Sequence, residues 1–430
     1  MGKASQHTQP VDSPRAEQAK ATVQEITDVL TLDKVLAQTL MGSPELAAIS
    51  WDTRIGEART LQAGLLPNPD LSYSMSDFGG SGMYSGFEIA SSSVQLGQLI
   101  ELGGKRSKRT HLAAAEKELA DWDVESKKLD VLADANRNFL DVLTGQEKVK
   151  LAEELVRLAA RARDTVLERV QAGKISPLEG TKAGVALSET GIQLARTKNE
   201  LIAARNRLAT SMGLGAVTFQ QVSGKLDTLA PIPSPEALNA YLDRNPDIAR
   251  WVKEKEQRDA TLAVEKAKQI PDLTVSGGMQ FYNDTNDSAL MVGVSIPLPL
   301  FDRNQGNIAE AEHRRAKVRE ESRTSRAKAA STLSDAYQML ASSHAESKSL
   351  QNDIVPAAQK VFEDTKEGFR EGKFDFLELL DAQRTLFMAK ESYITSLSNY
   401  HKAVVDVERL IATPLTEVTE ARPQTENKQS

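Results

Sequence analysis

Residues 272–306 read DLTVSGGMQFYNDTNDSALMVGVSIPLPLFDRNQG, and this stretch carries the strongest local signal of the fold. Apolar residues alternate with small polar ones over 273–282 and again over 289–300, with NDTND between the two runs. Strict alternation predicts two β-strands, each with one apolar and one polar face. The apolar positions are Leu273, Val275, Met279 and Phe281 in the first run, and Leu290, Val292, Val294, Ile296, Leu298 and Leu300 in the second.

Alternation alone leaves two interpretations of this hairpin open. A half-buried hairpin in a soluble sheet is the commoner of the two. The polar face here is small and uncharged, however, and strands of ~10 residues have the length that a tilted strand needs to cross a bilayer. We therefore expect membrane-spanning strands.

The same sequence features occur twice along the chain. SPELAAI at Ser43 returns as NPDIARW at Asn245, and PDL at Pro69 returns at Pro271, 202 positions later in each case. The Gly-Lys pair at Gly173 returns at Gly372. A period of this length is too long for a solenoid and indicates an internally duplicated fold.

The duplication sets the predicted domain organisation. Each copy is expected to contain an ordinary helix, two strands and two long helices joined by a short turn. The predicted segments are an N-terminal extension (1–29), a first repeat (30–214) with strands 71–78 and 87–99, a connector (215–234), a second repeat (235–415) with strands 273–282 and 289–300, and a disordered tail (416–430).

Four strands are too few to close a barrel. An open sheet edge in lipid would leave backbone N–H and C=O groups unpaired, and outer-membrane barrels have about eight strands or more. If these strands face lipid, several chains must share one barrel, and three chains would supply twelve strands.

The predicted helices are unusually long. Between Lys105 and Val170 there is no proline and one interior glycine, Gly145, and roughly 65 residues would extend ~100 Å. The last helix has an apolar seam with coiled-coil spacing. A hollow cylinder of helices fits this pattern, and so does a soluble coiled-coil scaffold. The seam is Ala382, Leu386, Ala389, Tyr393, Leu397, Tyr400, Val404, Val407 and Ile411.

Composition argues against several classes of function. The chain has no cysteine, a formal net charge of −7 and five scattered histidines, so we expect neither a thiolate site, a metal centre, a cofactor nor nucleic-acid binding. We see no catalytic arrangement and predict that the protein is not an enzyme. Residues 1–25 show no apolar run of a signal peptide, so an exported protein would have lost its signal.

Two strand-to-helix corners separate the channel from the scaffold. The first is ELGGKR with Gly103 and Gly104, and the second is PLPLFDRNQG. Prolines stop strand pairing, and Gly, Asp and Asn allow a sharp turn, whereas a coiled-coil rod needs no such corner. The second corner contains Pro297, Pro299, Asp302 and Arg303.

In amino-acid sequence and in position along the chain, these corners resemble those of the TolC-type outer-membrane factors, and most closely those of the CzcC/CusC heavy-metal efflux branch. The resemblance covers about residues 30–415. It implies a mainly α fold with a small β part: a homotrimer with a twelve-stranded barrel in outer-membrane lipid and a helical tunnel across the periplasm. It also implies two partners, a periplasmic adaptor and an inner-membrane transporter of the resistance-nodulation-division class. Some relatives carry a lipidated N-terminal cysteine, which this sequence lacks, so the resemblance gives no basis for predicting a lipid anchor.

The resemblance also suggests roles for the two Gly-Lys turns and the helix that follows the second. Gly173 with Lys174, and Gly372 with Lys373, would be helix-capping turns at the tips that the adaptor contacts. Positions matching Glu378 and Asp381 line the narrowest part of the tunnel in the family. A solvated charged helix face is the alternative for these side chains. The predicted constriction comprises Asp375, Glu378, Asp381 and Arg384.

The sequence thus predicts a passive export channel for metal cations or drugs. The rival functions are a soluble coiled-coil scaffold, and an outer-membrane channel for drug efflux or type I protein secretion. The corner motifs alone favour metal cations.

Overall fold

The structure is a computed structural model that describes residues 29–420. The predicted N-terminal extension lies outside the described residues except for Val29. The predicted disordered tail is wrong at its start, because Leu415–Glu420 form a short helix. Residues 421–430 also lie outside the described part.

The described chain is mainly helical, and its elements follow the predicted order in each copy. The first copy and the connector contain β1 (Val29–Thr31), α1 (Leu32–Gly42), α2 (Pro44–Ala63), β2 (Asp70–Ser76), β3 (Ser91–Ile100), α3 (Lys105–Gln171), α4 (Pro177–Ser211) and β4 (Gln221–Ser223). The second copy contains α5 (Pro235–Asn239), α6 (Pro246–Lys268), β5 (Leu273–Tyr282), β6 (Asp287–Ser295), α7 (Gln305–Ser349), a π-helical turn (Leu350–Ile354), α8 (Val355–Glu371), α9 (Phe376–Ile411) and α10 (Leu415–Glu420).

Strands from both copies form one antiparallel four-stranded sheet in the order β2-β3-β5-β6. The predicted strand 289–300 is too long, because β6 ends at Ser295, two residues before Pro297, and proline has no N–H for the ladder. The predicted strand 87–99 starts too early. Its first residues belong to the β2–β3 loop, where the ring of Phe87 stacks on that of Phe78 with centroids 5.4 Å apart.

A two-stranded parallel pair was not predicted. β1 pairs with β4, with Leu30 opposite Val222, so part of the predicted connector is a strand. Three-residue strands are too short to show any alternation, so no periodic pattern predicted them.

The described residues divide into two compact units. The hairpin unit comprises 29–43, 132–230 and 340–405, and the sheet unit comprises 44–131, 231–339 and 406–420. Each copy of the duplicated sequence contributes to both units, so the duplication does not correspond to two separate domains.

The hairpin unit contains two apolar clusters. The first surrounds the β1–β4 pair and includes Leu30, Phe139, Leu208 and Val222. The second lies among the helix ends that carry the Gly-Lys turns, and it includes the buried Phe369 and Phe376. Of the nine predicted seam positions on α9, seven are buried and two are half-buried, which confirms the coiled-coil pattern.

Ion pairs join the helices of the sheet unit. Arg409 on α9 donates to Asp130 on α3 at 2.6 Å and to Asp247 on α6 at 2.9 Å. Burial lowers the pKa of Arg409, but the hydrogen bonds to the two carboxylates outweigh burial, and the net pKa is raised. No helix among residues 29–420 is both long enough and apolar enough to cross a bilayer.

The long helix of the second copy is interrupted before Pro356. A π-helical turn at Leu350–Ile354 leads into α8. Because proline cannot donate to the carbonyl one turn earlier, the helix widens locally there. Proline marked the site of the break, but the sequence did not show its π form.

Candidate functional site

The strand register separates two chemically different faces of the sheet. Residues paired across antiparallel strands point to the same face. One face is small or uncharged except for two aspartates near its ends: Asp70, Ser72, Ser74, Ser76, Ser91, Ser93, Gln95, Gly97, Leu99, Thr274, Ser276, Gly278, Gln280, Tyr282, Asp287, Ala289, Met291, Gly293 and Ser295. The other carries the apolar phase: Leu71, Tyr73, Met75, Ser92, Val94, Leu96, Gln98, Ile100, Leu273, Val275, Gly277, Met279, Phe281, Ser288, Leu290, Val292 and Val294.

The apolar face has no cover within the described chain. The side chains of Leu290 and Val292 are 83% and 84% exposed, which a water-soluble sheet would not tolerate over such an area. On the polar face, side chains bond to one another: Ser74 and Ser93 hydroxyls lie 2.8 Å apart, and Gln95 donates to Ser276 at 2.5 Å. The predicted alternation is confirmed and extends across all four strands.

The sheet and its two loops carry charge of one sign only. Residues 70–100 and 273–301 include five acidic residues and no lysine or arginine. The acidic residues are Asp70, Asp77, Glu88, Asp284 and Asp287. A passage bordered by this surface would favour cations over anions.

The first strand-to-helix corner depends on glycine. Gly103 and Gly104 both have left-handed backbones, with φ of 67° and 69°, and a Cβ on Gly103 would lie 2.7 Å from the Ile270 side chain. Ion pairs hold the corner on either side. Lys105 pairs with Asp272 at 2.7 Å, and Arg109 makes a two-pronged pair with Glu101.

The second corner uses different chemistry. After Pro297 and Pro299 the chain turns, with the Asp302 carboxylate accepting from the Asn304 N–H at 2.8 Å. Asn304 has a left-handed backbone, φ 58°, and its side chain donates to Glu265 on α6. Burial raises the pKa of Glu265, but hydrogen bonds from Lys268 and Asn304 give a net lowering. The neighbouring Arg303 bonds through its backbone N–H to Gln305 at 2.8 Å.

Both Gly-Lys turns are helix caps, as predicted. Gly173 has φ 68°, and Lys174 N–H donates to the Arg169 carbonyl at 2.9 Å. Gly372 has φ 79°, and Lys373 N–H donates to the Gly368 carbonyl at 2.8 Å. These left-handed caps end α3 and α8 and reverse the chain into α4 and α9.

Arg169 joins the two turns, and sequence reasoning missed it. Its guanidinium donates to the Phe369 carbonyl at 3.0 Å and lies 4.8 Å from the centre of the Phe369 ring. One side chain from the first hairpin thus contacts the helix end of the second. An arginine near a helix C-terminus is too common a feature to have pointed to this contact.

The four residues of the predicted constriction form two groups. Asp375 and Glu378 cap α9 reciprocally: each backbone N–H donates to the other's carboxylate at 2.9 Å. Asp381 and Arg384 lie farther along and border a groove instead. Steps of three residues drift by about 60° per step in an α-helix, so Arg384 does not lie on the same side of α9 as Asp375.

That groove lies between α3, α4 and α9 in the hairpin unit and has a volume of about 830 Å³. Apolar side chains such as Leu155 and Phe387 form most of its lining, with Glu189, Asp381 and Glu391 among the polar ones. The first-copy counterpart of Glu378, Glu179, is paired with Lys182 at 2.9 Å instead.

The histidines show no metal centre. Among residues 29–420 no three His, Asp or Glu side chains come together as a metal site, and His7 lies outside that range. His401 is largely buried, and its Nε2 lies 2.8 Å from the Leu226 carbonyl. Burial lowers the pKa of His401, and the Leu226 carbonyl and Asp227 partly offset that effect.

Comparison with known proteins gives a consistent result. The family model described as outer membrane efflux protein matches residues 35–214 and 237–413. The cobalt-zinc-cadmium resistance protein CzcC of Cupriavidus metallidurans is 35% identical over 382 residues, which is 89% of this chain and 90% of CzcC.

Solved structures share the fold. A CusC structure superposes with a TM-score of 0.75 at 17% identity, covering 88% of this chain and 91% of that one. The outer-membrane channel OprN gives 0.75 at 19% identity, covering 89% and 90%. The predicted fold class, a mainly α channel protein with a small β part, is confirmed.

Proposed function

Since this chain belongs to the outer membrane efflux protein family, we propose that it forms the homotrimeric outer-membrane duct of a tripartite efflux pump and conducts transition-metal cations out of the cell. The family contains channel proteins rather than enzymes. Beyond family membership, three points are proposed for this chain: the homotrimer, the pump partners and the metal-cation cargo.

The observation that carries the trimer is the incomplete sheet. Among residues 29–420, β2 and β6 each have a neighbouring strand on one side only, and the sheet's apolar face lies open. Because β2 and β6 run antiparallel to each other, β6 of one copy can pair with β2 of the next in the same antiparallel pattern. Three copies give twelve strands, enough for a closed barrel without free edges.

Cysteine cross-linking tests this closure directly. The chain has no native cysteine, so a pair introduced at the two edges is the only thiol pair present. Ser74→Cys on β2 is combined in turn with Ala289→Cys, Met291→Cys or Gly293→Cys on β6. We expect dimer and trimer bands under oxidising conditions for at least one pair. The control pair is Ser93→Cys on β3 with Gln280→Cys on β5. These positions face each other within one chain, so they should link only within a chain.

The partners follow from the family resemblance. We propose that the capped turns at Gly173–Lys174 and Gly372–Lys373 meet a periplasmic adaptor, which in turn binds an inner-membrane transporter of the resistance-nodulation-division class. The rigid caps support this role, since a docking partner needs turns of fixed shape. We further propose that Glu378 and Asp381 form carboxylate rings at the narrowest part of the pore.

Two observations support metal cations as the cargo: the acidic charge of the sheet and its loops, and the similarity to CzcC. CzcC is named for cobalt, zinc and cadmium resistance. The sheet and loops of this chain carry acidic residues and no basic ones, which favours cations. The absence of a metal centre among the described residues fits a duct, because tight binding would slow exit.

Metal tolerance of cells tests the cargo. A strain lacking the chromosomal copy, but keeping its pump and adaptor, should lose tolerance to cobalt, zinc or cadmium and regain it with the wild-type gene. The matched control is an edge-disrupted variant, Val292→Pro, which should not restore tolerance. If the deletion strain keeps full metal tolerance but becomes sensitive to organic drugs, the cargo assignment is wrong.

A further inference from the structure

A groove of about 560 Å³ lies between the end of α2 and the beginning of α3 in the sheet unit. We call it the α2–α3 groove. Its lining includes Arg59, Leu65, Leu66, Arg109 and Glu116. Arg109 also pairs with Glu101 at the first corner. The other lining residues belong to neither the corners, the tips nor the proposed constriction.

The place of the groove in the chain puts it at the membrane boundary. α2 ends at Ala63 and β2 begins at Asp70, while β3 ends at Ile100 and α3 begins at Lys105. Both walls of the groove therefore adjoin the same ends of two neighbouring strands. This step rests on the proposed placement of the sheet in the outer membrane.

The groove is amphipathic along its length. Leu65 and Leu66, at the strand end, are 50% and 66% exposed. Arg59 lies six residues earlier on α2, about 9 Å farther from the strands. The polar region of a bilayer leaflet is about 5–8 Å thick, so leucines that lie a few ångströms inside the acyl-chain region place Arg59 at the level of head groups.

Two opposite charges line the polar end without pairing. Arg109 is fully engaged, because it holds Glu101 and the Ala63 carbonyl. Arg59 and Glu116, in contrast, form no ion pair with each other or with another residue within 29–420. Arg106 and Lys108 add positive charge at the start of α3, within one helical turn of the lining residue Arg109.

We propose that the α2–α3 groove binds one phospholipid of the periplasmic leaflet per chain, with a phosphate diester at Arg59, a primary ammonium head group at Glu116 and an acyl chain against Leu65 and Leu66. A cation and an anion facing one cavity match a zwitterionic head group better than a purely anionic one. A primary ammonium donates hydrogen bonds to a carboxylate, which a trimethylammonium group does not.

Native mass spectrometry of the full-length protein, purified in detergent and stripped of lipid, tests the proposal. It is titrated with phosphatidylethanolamine, phosphatidylglycerol and phosphatidylcholine that share the same acyl chains. Wild type should bind about one ethanolamine lipid per chain, roughly ten-fold more tightly than the choline lipid, as expected for one charge-assisted hydrogen bond.

Two variants separate the two charges. Arg59→Gln should weaken all three lipids by about ten-fold. Glu116→Gln should remove the preference for the ethanolamine head group and improve glycerol-lipid binding. The control is Arg319→Gln combined with Asp335→Asn on α7. It removes two exposed side chains of opposite charge elsewhere in the sheet unit and should leave lipid binding unchanged.

The same spectra show which part of the account fails. Unchanged lipid binding in both groove variants would overturn the lipid proposal. Variants that shift the trimer–monomer ratio while lipid binding stays constant would also overturn it, because the groove would then belong to contact with a neighbouring copy. A monomer that still prefers the ethanolamine lipid over the choline lipid would support lipid binding in the groove and contradict the proposed trimer.

Discussion

The two hairpin turns of the duplicated chain share a backbone but differ in chemistry. Both end a helix with a left-handed glycine followed by lysine. The first then enters its next helix through Ser176, whose hydroxyl accepts from the Leu178 N–H at 3.2 Å. The second uses the reciprocal Asp375–Glu378 cap. The same turn is therefore built with a neutral cap in one copy and two carboxylates in the other.

Their packing differs in the same direction. The second hairpin places two rings, Phe369 and Phe376, in the buried cluster, with centroids 6.2 Å apart. At the corresponding positions the first hairpin has Val170 and Pro177. Duplication kept the turn geometry, which glycine adopts without strain, while charge and packing diverged. The turn is therefore structural in both copies, and a cap made of two carboxylates occurs at the second turn and not at the first.

The largest expected effect sharpens this contrast in packing. Phe369→Ala removes a buried ring and should cost about 3–5 kcal/mol of local stability. Val170→Ala, on the first hairpin, removes a half-buried side chain and should cost about 1 kcal/mol. Hydrogen exchange of α8 and of the α3 end reports both local opening energies. Equal losses of local stability in the two variants would show that both hairpins depend to the same extent on the apolar cluster that contains Phe369 and Phe376.

The strands of the two copies should also differ. Val292→Arg in the second copy places a charge on the apolar face and should cost about 2–4 kcal/mol near the bilayer midplane. Ser92→Arg in the first copy lies on the same face beside the loop, where the cost should be about 0–1 kcal/mol. Met291→Arg, on the polar face, is the control for strand damage.

Yields of folded trimer after refolding into detergent or lipid measure this difference. If Val292→Arg and Met291→Arg are equally harmful, the two faces do not divide lipid from lumen.

Charge at the second hairpin should set ion selectivity. Asp381→Asn leaves the Asp375–Glu378 cap intact, so it isolates the charge from the fold. We expect cation preference in planar bilayers, and block by divalent ions from the periplasmic side, to fall several-fold. Glu179→Gln on the first hairpin removes a carboxylate already paired with Lys182 and should change neither. An unchanged preference in Asp381→Asn would place this side chain away from the pore.

The smallest effect concerns acid sensitivity. His401 on α9 holds the connector through the Leu226 carbonyl, whereas the first copy has the exposed Ile202 at that position. Because burial lowers the folded-state pKa of His401, the unfolded segment binds more protons. Stability should therefore fall as the pH drops below about 6.5.

Hydrogen exchange of residues 224–230 at pH 7.5 and 5.5, corrected for intrinsic rates, measures this loss. The extra opening at pH 5.5 should disappear in His401→Gln. A loss of the same size in that variant would assign the acid sensitivity to another group.

Much of the fold could be predicted because long-range repetition and strict periodicity are visible in one sequence. The alternation around Val292 and the seam around Leu386 each span many residues, so the pattern outweighs local noise. The β1–β4 pair, the π-helical turn and the Arg169 contact were missed because each depends on a few residues brought together by the fold. Asp375 and Glu378 were placed in the correct turn, but their mutual capping was visible only in the structure.

Native mass spectrometry of the wild-type protein in detergent shows whether three chains share one channel. We expect one dominant species of three chains, held together without disulfides because the chain has no cysteine. A stable single chain that keeps its full strand content by circular dichroism would contradict it, since four strands would then exist without a closed barrel.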